Sequence, residues 1–305
     1  MADTPTLPSP LIFDRPLIRA RRRRAALLGP ATFLLDRVAD DLADRLGAVL
    51  RRFDLALDLG TPGEAVRAAL TRLGSVATIV AADAMPATGT KRVSPLVTAD
   101  EEVLPFRDAS LDLVVSALAL QFVNDLPGVL VQIRRALKPD GLFLAALIGG
   151  DTLTELRQSF AAAESEIEGG VSPRVAPFAD LRDLGTLLQR AGFALPVTDT
   201  DRVIVRYDGA FGLMRDLRRM GATNALLDRR RTPLKRATLM RMAEIYAQRF
   251  ADNDGRLRAT FEIVWLSGWA PHPDQQQPLK PGSARARLAD ALGTREISTR
   301  EKAGR

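Results

Sequence analysis

The chain has no cysteine, and that absence removes disulfides, thiolate zinc sites, iron–sulfur ligation and cysteine nucleophiles together. It has a single histidine, His272. One imidazole cannot supply a two-histidine, one-carboxylate iron site or a histidine-rich zinc centre, and any serine triad would have to be built on it. No metal site is expected, although a cation held by carboxylates alone remains open. Nowhere is there a run of about eighteen apolar residues, and the N-terminus lacks the apolar core of an export signal, so neither a span nor secretion is expected. The expected location is cytoplasmic, with at most peripheral membrane association. Aromatic residues are few, 5 % of the chain, and do not interleave with the basic runs as base stacking requires, so no nucleic-acid partner is expected.

What the chain does have is arginine and apolar residues. Its 305 residues, 46 % hydrophobic and 26 % charged, are enough to bury the core of one large or two small domains. The net charge of +6 is concentrated in Arg15, Arg19 and the run Arg21 to Arg24, and again in Arg229 to Arg231. Such runs read first as solvated helix faces and second as surfaces for an acidic partner.

Periodicity orders the rest. Apolar residues at three- and four-residue steps predict a helix over 30–50, followed by a strand at 55–59, a helix at 66–73 and a strand at 77–82 that ends in Asp83. A short strand at 94–98, a nearly all-apolar strand at 111–116, a helix at 130–137 closed by Lys138-Pro-Asp-Gly141, and a strand at 142–148 complete five β-units in parallel alternation. Helices at 153–168 and 178–191 and a strand at 197–207 follow, then helices at 210–220 and 234–250, and a last strand at 259–269. The expected fold is α/β: a seven-stranded, mostly parallel, doubly wound Rossmann-like sheet with a helical insertion between the last two strands, which pair antiparallel. By segments, 1–29 is a basic N-terminal extension, 30–208 and 251–270 the core, 209–250 a helical lid over the sheet's carboxyl edge, and 271–305 an extended, partly disordered tail.

In an open parallel sheet the ligand sits outside the carboxyl ends of the strands, where strand order reverses. Asp58, Gly60 and the displaced Gly63 fall at the first such end, Asp83 at the second, Asp100 and Glu101 after the third, and Ser116 to Gln121 after the fourth. An acid ending the second strand is placed to accept from both ribose hydroxyls, and one after the third to meet an adenine amino group. That pattern suits a nucleoside. At the glycine turn, Pro62 removes an N–H and Glu64 brings a carboxylate toward an incoming ligand. Asp151, Glu155, Glu164 and Glu166 form a second group of acids, read first as solvated residues or, for Asp151, as a helix cap. Trp265 and Trp269 share a strand face and read as core packing, while His272 reads as a surface loop residue. No catalytic residue is assigned.

The stretches Leu57-Asp-Leu-Gly60, Ala82-Asp83, Ala99-Asp-Glu-Glu-Val-Leu-Pro-Phe106, Leu111-Asp-Leu-Val-Val-Ser116, Leu118-Ala-Leu-Gln-Phe-Val-Asn-Asp125 and Leu137-Lys-Pro-Asp-Gly141 resemble the class I S-adenosylmethionine-dependent methyltransferases. More narrowly, Ile12-Phe-Asp-Arg15, Gly149-Gly-Asp-Thr-Leu-Thr-Glu-Leu-Arg157, Glu168-Gly-Gly-Val-Ser-Pro173, Asp183 to Phe193, Met220-Gly-Ala-Thr-Asn224 and Gly268-Trp269 resemble the methyltransferase-like assembly factors of respiratory complex I, which are arginine hydroxylases. The resemblance spans roughly 12–285. It implies a protein that binds S-adenosyl-L-methionine or a derivative through Asp58, Gly60, Gly63, Asp83, Asp100, Glu101 and Ser116. It further implies hydroxylation of an arginine in a complex I hydrophilic-arm subunit, at the inner face of the membrane. Two alternatives stay open: a methyltransferase similar to the malonyl-carrier-protein O-methyltransferases, whose Leu-Pro-Phe and Leu-Ala-Leu-Gln stretches are alike, and a non-catalytic assembly chaperone with a degenerate cofactor turn.

Overall fold

Strands covered on both faces should be apolar almost throughout, and β1 (Phe53–Leu59), β4 (Leu111–Ala117) and β5 (Leu137–Ile148) are buried along most of their lengths. A computed structural model, which describes residues 11–85, 95–275, 290, 293 and 294, places them at the centre of a seven-stranded sheet. With β2 (Val76–Asp83), β3 (Leu96–Thr98), β6 (Ala194–Tyr207) and β7 (Leu257–Trp269), the order is β3-β2-β1-β4-β5-β7-β6. The first five strands run parallel, and β7 is wedged antiparallel between β5 and β6. Chain order reverses between β1 and β4, which fixes where a ligand crevice opens. The expected Rossmann-like sheet is therefore the one observed.

Helices cover both faces, and alternate strand residues divide between them. Ala56, Leu113, Val115, Leu142 and Leu144 pack beneath α2 (Phe33–Gly47), α3 (Ala65–Leu73), α5 (Thr154–Glu168), α7 (Ala210–Arg219) and α8 (Arg236–Phe250). Leu57, Val114, Phe143 and Ala145 pack beneath α4 (Leu126–Ala136) and α6 (Leu181–Arg190). Trp265 is buried in the first layer with Trp269 packed against it, as their shared strand face predicts, and the Arg45 guanidinium lies 4.4 Å over the Trp265 ring. Several boundaries differ from expectation, most of all where α4 meets β5. α4 ends at Ala136, and Lys138 to Gly141 do not cap it; they form a bulge inside β5, where the register against β4 jumps between Leu111 and Leu113.

The basic N-terminal extension contains a helix. Asp14 caps α1 (Arg15–Leu27) by accepting from the Leu17 N–H, and a proline occupies its first turn. The segment before it pairs with the loop after α7 through a Phe13 to Leu226 bridge and the bonds Asp14 N–H to Ala225 O and Leu227 N–H to Ile12 O. Gly221 in that loop has φ +70°, and a Cβ there would lie 3.0 Å from the Arg22 Cα. Only glycine lets α1 approach so closely. The two motifs Glu168 to Pro173 and Met220 to Asn224 meet here as well, the Asn224 amide donating to Pro173 O at 2.7 Å.

The insertion splits between two tasks. α7 turns to α1 at the sheet's carboxyl edge, whereas α8 packs along α5. Glu168, the last residue of α5, accepts from Thr238 Oγ1 at 2.6 Å and pairs with Arg230 and Lys235. The Lys235 and Thr238 donors pull its carboxyl down to about 2 from an ordinary 4.5. A depressed carboxyl contributes stability that is full above its unfolded value and is lost as pH falls toward its folded one. Glu168→Gln is therefore expected to lower the melting temperature at neutral pH, with a deficit that shrinks as pH falls from 4.5 toward 2. A deficit independent of pH across that range would contradict the ionic anchor.

The chain divides into the units Met1–Pro271 and His272–Arg305. In the second, His272 Nδ1 accepts from the Asp274 N–H in an exposed turn. Residues 1–10, Ser94 and most of the expected tail at 271–305 lie outside the described residues.

Candidate functional site

β1 delivers Asp58 and then Gly60 to the crevice. Gly60 has φ +69°, and a Cβ there would stand 2.8 Å from Glu101 Cγ and 3.1 Å from the Ala119 Cβ, so the turn closes only with glycine. Its N–H donates to Ala82 O, and Thr61 Oγ1 accepts from the Ala117 N–H, which ties the turn to β2 and β4. Gly63 has φ +74° with open space where a Cβ would lie. A residue that the sequence pattern did not single out holds this turn from below. Arg67, on α3, donates to Asp58, to Gly63 O and to Glu64 at 2.8 Å. Asp58 is 1 % exposed. Its burial pushes the carboxyl up to about 6 against the pull of Arg67. Glu64, whose direction the sequence leaves open, is turned onto Arg67.

Beyond the turn a cavity of about 280 Å³ opens at the carboxyl edge of the sheet. It is lined by Pro62, Gly63 and Asp83, by Arg22, Ala25 and Ala26 of α1, and by Leu217, Met220 and Ala222. Leu34, Ile148, Phe178 and Phe261 make the remainder largely apolar. Of the seven sequence-derived positions, Gly63 and Asp83 line this cavity. Asp83 accepts from the Met85 N–H at 2.9 Å, and burial raises its carboxyl above the usual range. Ser116 is fully buried and donates to Leu59 O at 2.7 Å, which joins β4 to β1 behind the turn. Asp58 and Gly60 likewise do not line the cavity.

Asp100 and Glu101 follow β3 as expected, but α1 lies on them. Arg15 binds both, Arg19 binds Asp100, and Arg22 reaches Glu101 at 3.5 Å. Only about 10 Å³ remains between these arginines, Asp83 and Glu101. The basic run thus has one face turned inward onto acids, where a fully solvated face was expected. Asp83 and Gly63 line the same cavity, so an acceptor carboxylate and an open glycine turn are both available to a ligand there. Asp100 and Glu101, expected at the adenine, already have α1 arginines as partners.

Two leucines that line the cavity, Leu118 (φ +52°) and Leu153 (φ +55°), adopt the left-handed conformation that side chains beyond Cβ disfavour. Strain of this kind gathers where surrounding structure enforces a working geometry. Gln121 also lines the cavity, and its Oε1 is buried without a partner among the described residues. The Leu118-Ala-Leu-Gln stretch was visible in sequence, but nothing in it marked which side chain turns inward.

The second group of acids is dispersed. Asp151 pairs with Arg202 and does not cap α5, where Leu153 holds the cap position. Glu155 accepts from the Thr260 N–H and hydroxyl, Glu164 from Ser172 and Arg174, and Glu166 from Arg241. Among the described residues, no three His, Cys, Asp or Glu side chains are gathered around a point that could hold an ion, and no helix is long and apolar enough to cross a membrane.

Comparison with known proteins places this geometry. Residues 57–145 match the methyltransferase domain family. The human mitochondrial arginine-hydroxylase NDUFAF5 is 42 % identical over 90 % of this chain and 81 % of its own length. A malonyl-[acyl-carrier protein] O-methyltransferase of Xylella fastidiosa is 36 % identical over 76 % of this chain and 77 % of its own. The crystal structure of the methyltransferase-class protein BH2331 of Bacillus halodurans superposes with a TM-score of 0.51 at 18 % identity, over 76 % of this chain and 99 % of that one, which supports the fold alone.

Proposed function

Because this chain belongs to the methyltransferase-fold family that includes the NDUFAF5 arginine-hydroxylases, we propose that it binds S-adenosyl-L-methionine or a derivative and hydroxylates an arginine of a respiratory complex I hydrophilic-arm subunit. The observation that carries this reading is the extent of the match. At 90 % of the chain it runs well beyond the 57–145 core shared with methyltransferases at large.

In this reading Asp83 accepts from the ribose hydroxyls, and the Gly60 to Gly63 turn faces the amino-acid end of the cofactor. Asp58 and Ser116 hold that turn from behind, while Asp100 and Glu101 set the adenine edge together with α1. Inserting oxygen into a C–H bond is a two-electron oxidation. It balances as R–H plus dioxygen, two electrons and two protons giving R–OH and water, so dioxygen and an external two-electron donor are required co-reactants. The chain's own residues bind, orient and exclude water.

Mass spectrometry of the complex I hydrophilic arm from a deletion strain and its complemented parent tests the reading. One arginine should be about 16 Da lighter without the gene, the mass of the inserted oxygen; identical arginine masses in both strains sink it. A second reading, methyl transfer to malonyl-[acyl-carrier protein], is supported by the Xylella relative. There the cofactor's sulfonium supplies an electrophilic methyl, and formation of the methyl ester in vitro would decide for it. No heat with S-adenosylmethionine and no modified arginine would together favour a chaperone.

A further inference from the structure

Arg21 Nη1 donates to Asn224 O and Arg229 reaches back to Asp14 at 3.0 Å, so the two basic runs of the sequence, joined by the Phe13 to Leu226 bridge, form one surface. That surface is short of acid. On the inward face of α1, Arg15, Arg19 and Arg22 are met by Asp100 and Glu101. Here Asp14 is taken by Arg229, and among the described residues neither it nor the exposed Asp228 makes an ion pair with Arg21, Arg24 or Arg231. The like charges are felt. Burial first, and then Arg229 and Arg24, pull the Arg21 guanidinium below its ordinary value, with Asp14 opposing. A cluster of this kind holds a standing repulsion that an incoming anion relieves.

We propose that Arg21, Arg24, Arg229 and Arg231 form a docking surface for an acidic segment of the protein substrate, one that flanks the target arginine; the assignment rests on the arginine reading above. The surface borders the cavity. Ala25 and Ala26 line it just beyond Arg24 on α1, and Met220 and Ala222 line it just ahead of Asn224, whose carbonyl holds Arg21. A chain that sends one side chain into the cavity can therefore lay its neighbouring residues on these arginines. Arg21 and Arg229 are half-buried, whereas Arg24 and Arg231 are exposed. A carboxylate that projects from a side chain can reach a half-buried guanidinium and meet its fork, which a flat anionic surface does less well. Acids also settle the approach of the substrate. A bare target arginine is repelled by the basic surface beside the cavity, and carboxylates on either side of it turn that repulsion into attraction.

The test titrates the full chain with four synthetic peptides of glycine and serine that carry arginine or norleucine at the centre and glutamate or glutamine at the third and sixth positions on either side. Wild type should bind the arginine peptide with glutamates about tenfold more tightly than the one with glutamines, the size of a charge-assisted contact, and the gain should shrink as salt is raised. Arg24→Gln with Arg231→Gln should lose that gain, and so should Arg21→Gln; the first pair is exposed, so a folding failure in the second does not decide the result. Arg182→Gln with Arg190→Gln makes the same charge change on exposed positions of α6 and should keep the gain. No gain in wild type, or an equal loss in the α6 variant, overturns the docking surface, while a preference for arginine over norleucine in that case leaves the arginine reading standing. A glutamate gain that is the same for arginine and norleucine shows the surface taking acids and sinks the arginine reading instead. Leu27 and Leu28 stand exposed at the end of α1, so vesicles of phosphatidylglycerol are titrated as well. Vesicle binding that the arginine variants abolish, without any glutamate gain, gives the surface to a membrane and overturns the proposal.

Discussion

Arg67→Ala is expected to lower stability by about 3–5 kcal/mol, the usual cost of removing one partner from a buried ion pair. Asp58 is 1 % exposed, and Arg67 is the cation that reaches it. Cutting Arg67 back also removes the donor to Gly63 O and Glu64, so the turn loses the tie between its base and its tip. The effect has a pH signature. The Asp58 carboxyl titrates at about 6 when folded and near 3.8 when unfolded. Below 3.8 it is neutral in both states, and the cost of burying its charge grows as pH rises through about 6. Without Arg67 that cost is larger, so the variant's deficit should be greatest at neutral pH and shrink toward pH 4. Urea unfolding at several pH values measures it. Asp58→Asn combined with Arg67→Met should recover part of the loss, since replacing both charges removes the uncompensated one. A deficit below about 1 kcal/mol at neutral pH, the size expected for an exposed pair, would mean that the pair contributes little.

The sheet was legible because its signals are local. Apolar runs ending in Asp58, Asp83 and Ser116 mark buried parallel strands whatever surrounds them, and the glycine turn after β1 marks the crevice. The partners of those residues were not legible. Arg67 sits in a helix whose apolar periodicity was read without it, and nothing in sequence says that its guanidinium folds back under Gly63. The N-terminal arginines looked like a solvated face because contacts between α1 and residues 100–101 join positions more than seventy apart in sequence. A long-range ion pair leaves no periodic trace in either partner. The second group of acids was read as solvated, whereas Glu155 and Glu164 are buried on Thr260, Ser172 and Arg174, partners that no spacing within the segment announces. Lys138 to Gly141 carried an ordinary helix-stop signal, yet pairing with β4 recruited them into the strand as a bulge, a case of tertiary pairing overriding turn chemistry.

These long-range pairs also change what the predicted site means. Glu101 packs over Gly60 while its carboxylate meets Arg15 and Arg22, so α1 and the glycine turn are mechanically joined through one side chain. α1 in turn is fastened to the loop after α7 at Phe13 and Leu226. The loop after α7, the N-terminal helix and the glycine turn therefore form one continuous set of contacts around the cavity.

Asp83→Ala should weaken S-adenosylhomocysteine by roughly 100-fold. The carboxylate ends β2 at the cavity, and two hydrogen bonds from ribose hydroxyls to an ionised acceptor contribute about 1.5 kcal/mol each at the lower end of the range. Together they amount to about 3 kcal/mol, or two factors of ten. Asp83→Asn keeps one acceptor and should fall between. Asp83 also accepts from the Met85 N–H, so a general loosening of that turn must be separated from loss of the ribose contact. The separation comes from the ligand: a 2′,3′-dideoxyribose analogue lacks the donors, and its affinity should be nearly equal in wild type and Asp83→Ala. Ser116→Ala serves as the contrasting position, because its hydroxyl is used inside the sheet on Leu59 O, and it should shift thermal stability more than affinity. Calorimetric titration of all four proteins reads these differences directly. Equal affinities of wild type and Asp83→Ala for S-adenosylhomocysteine would remove Asp83 from the cofactor site and move any adenosyl ligand elsewhere along the sheet edge.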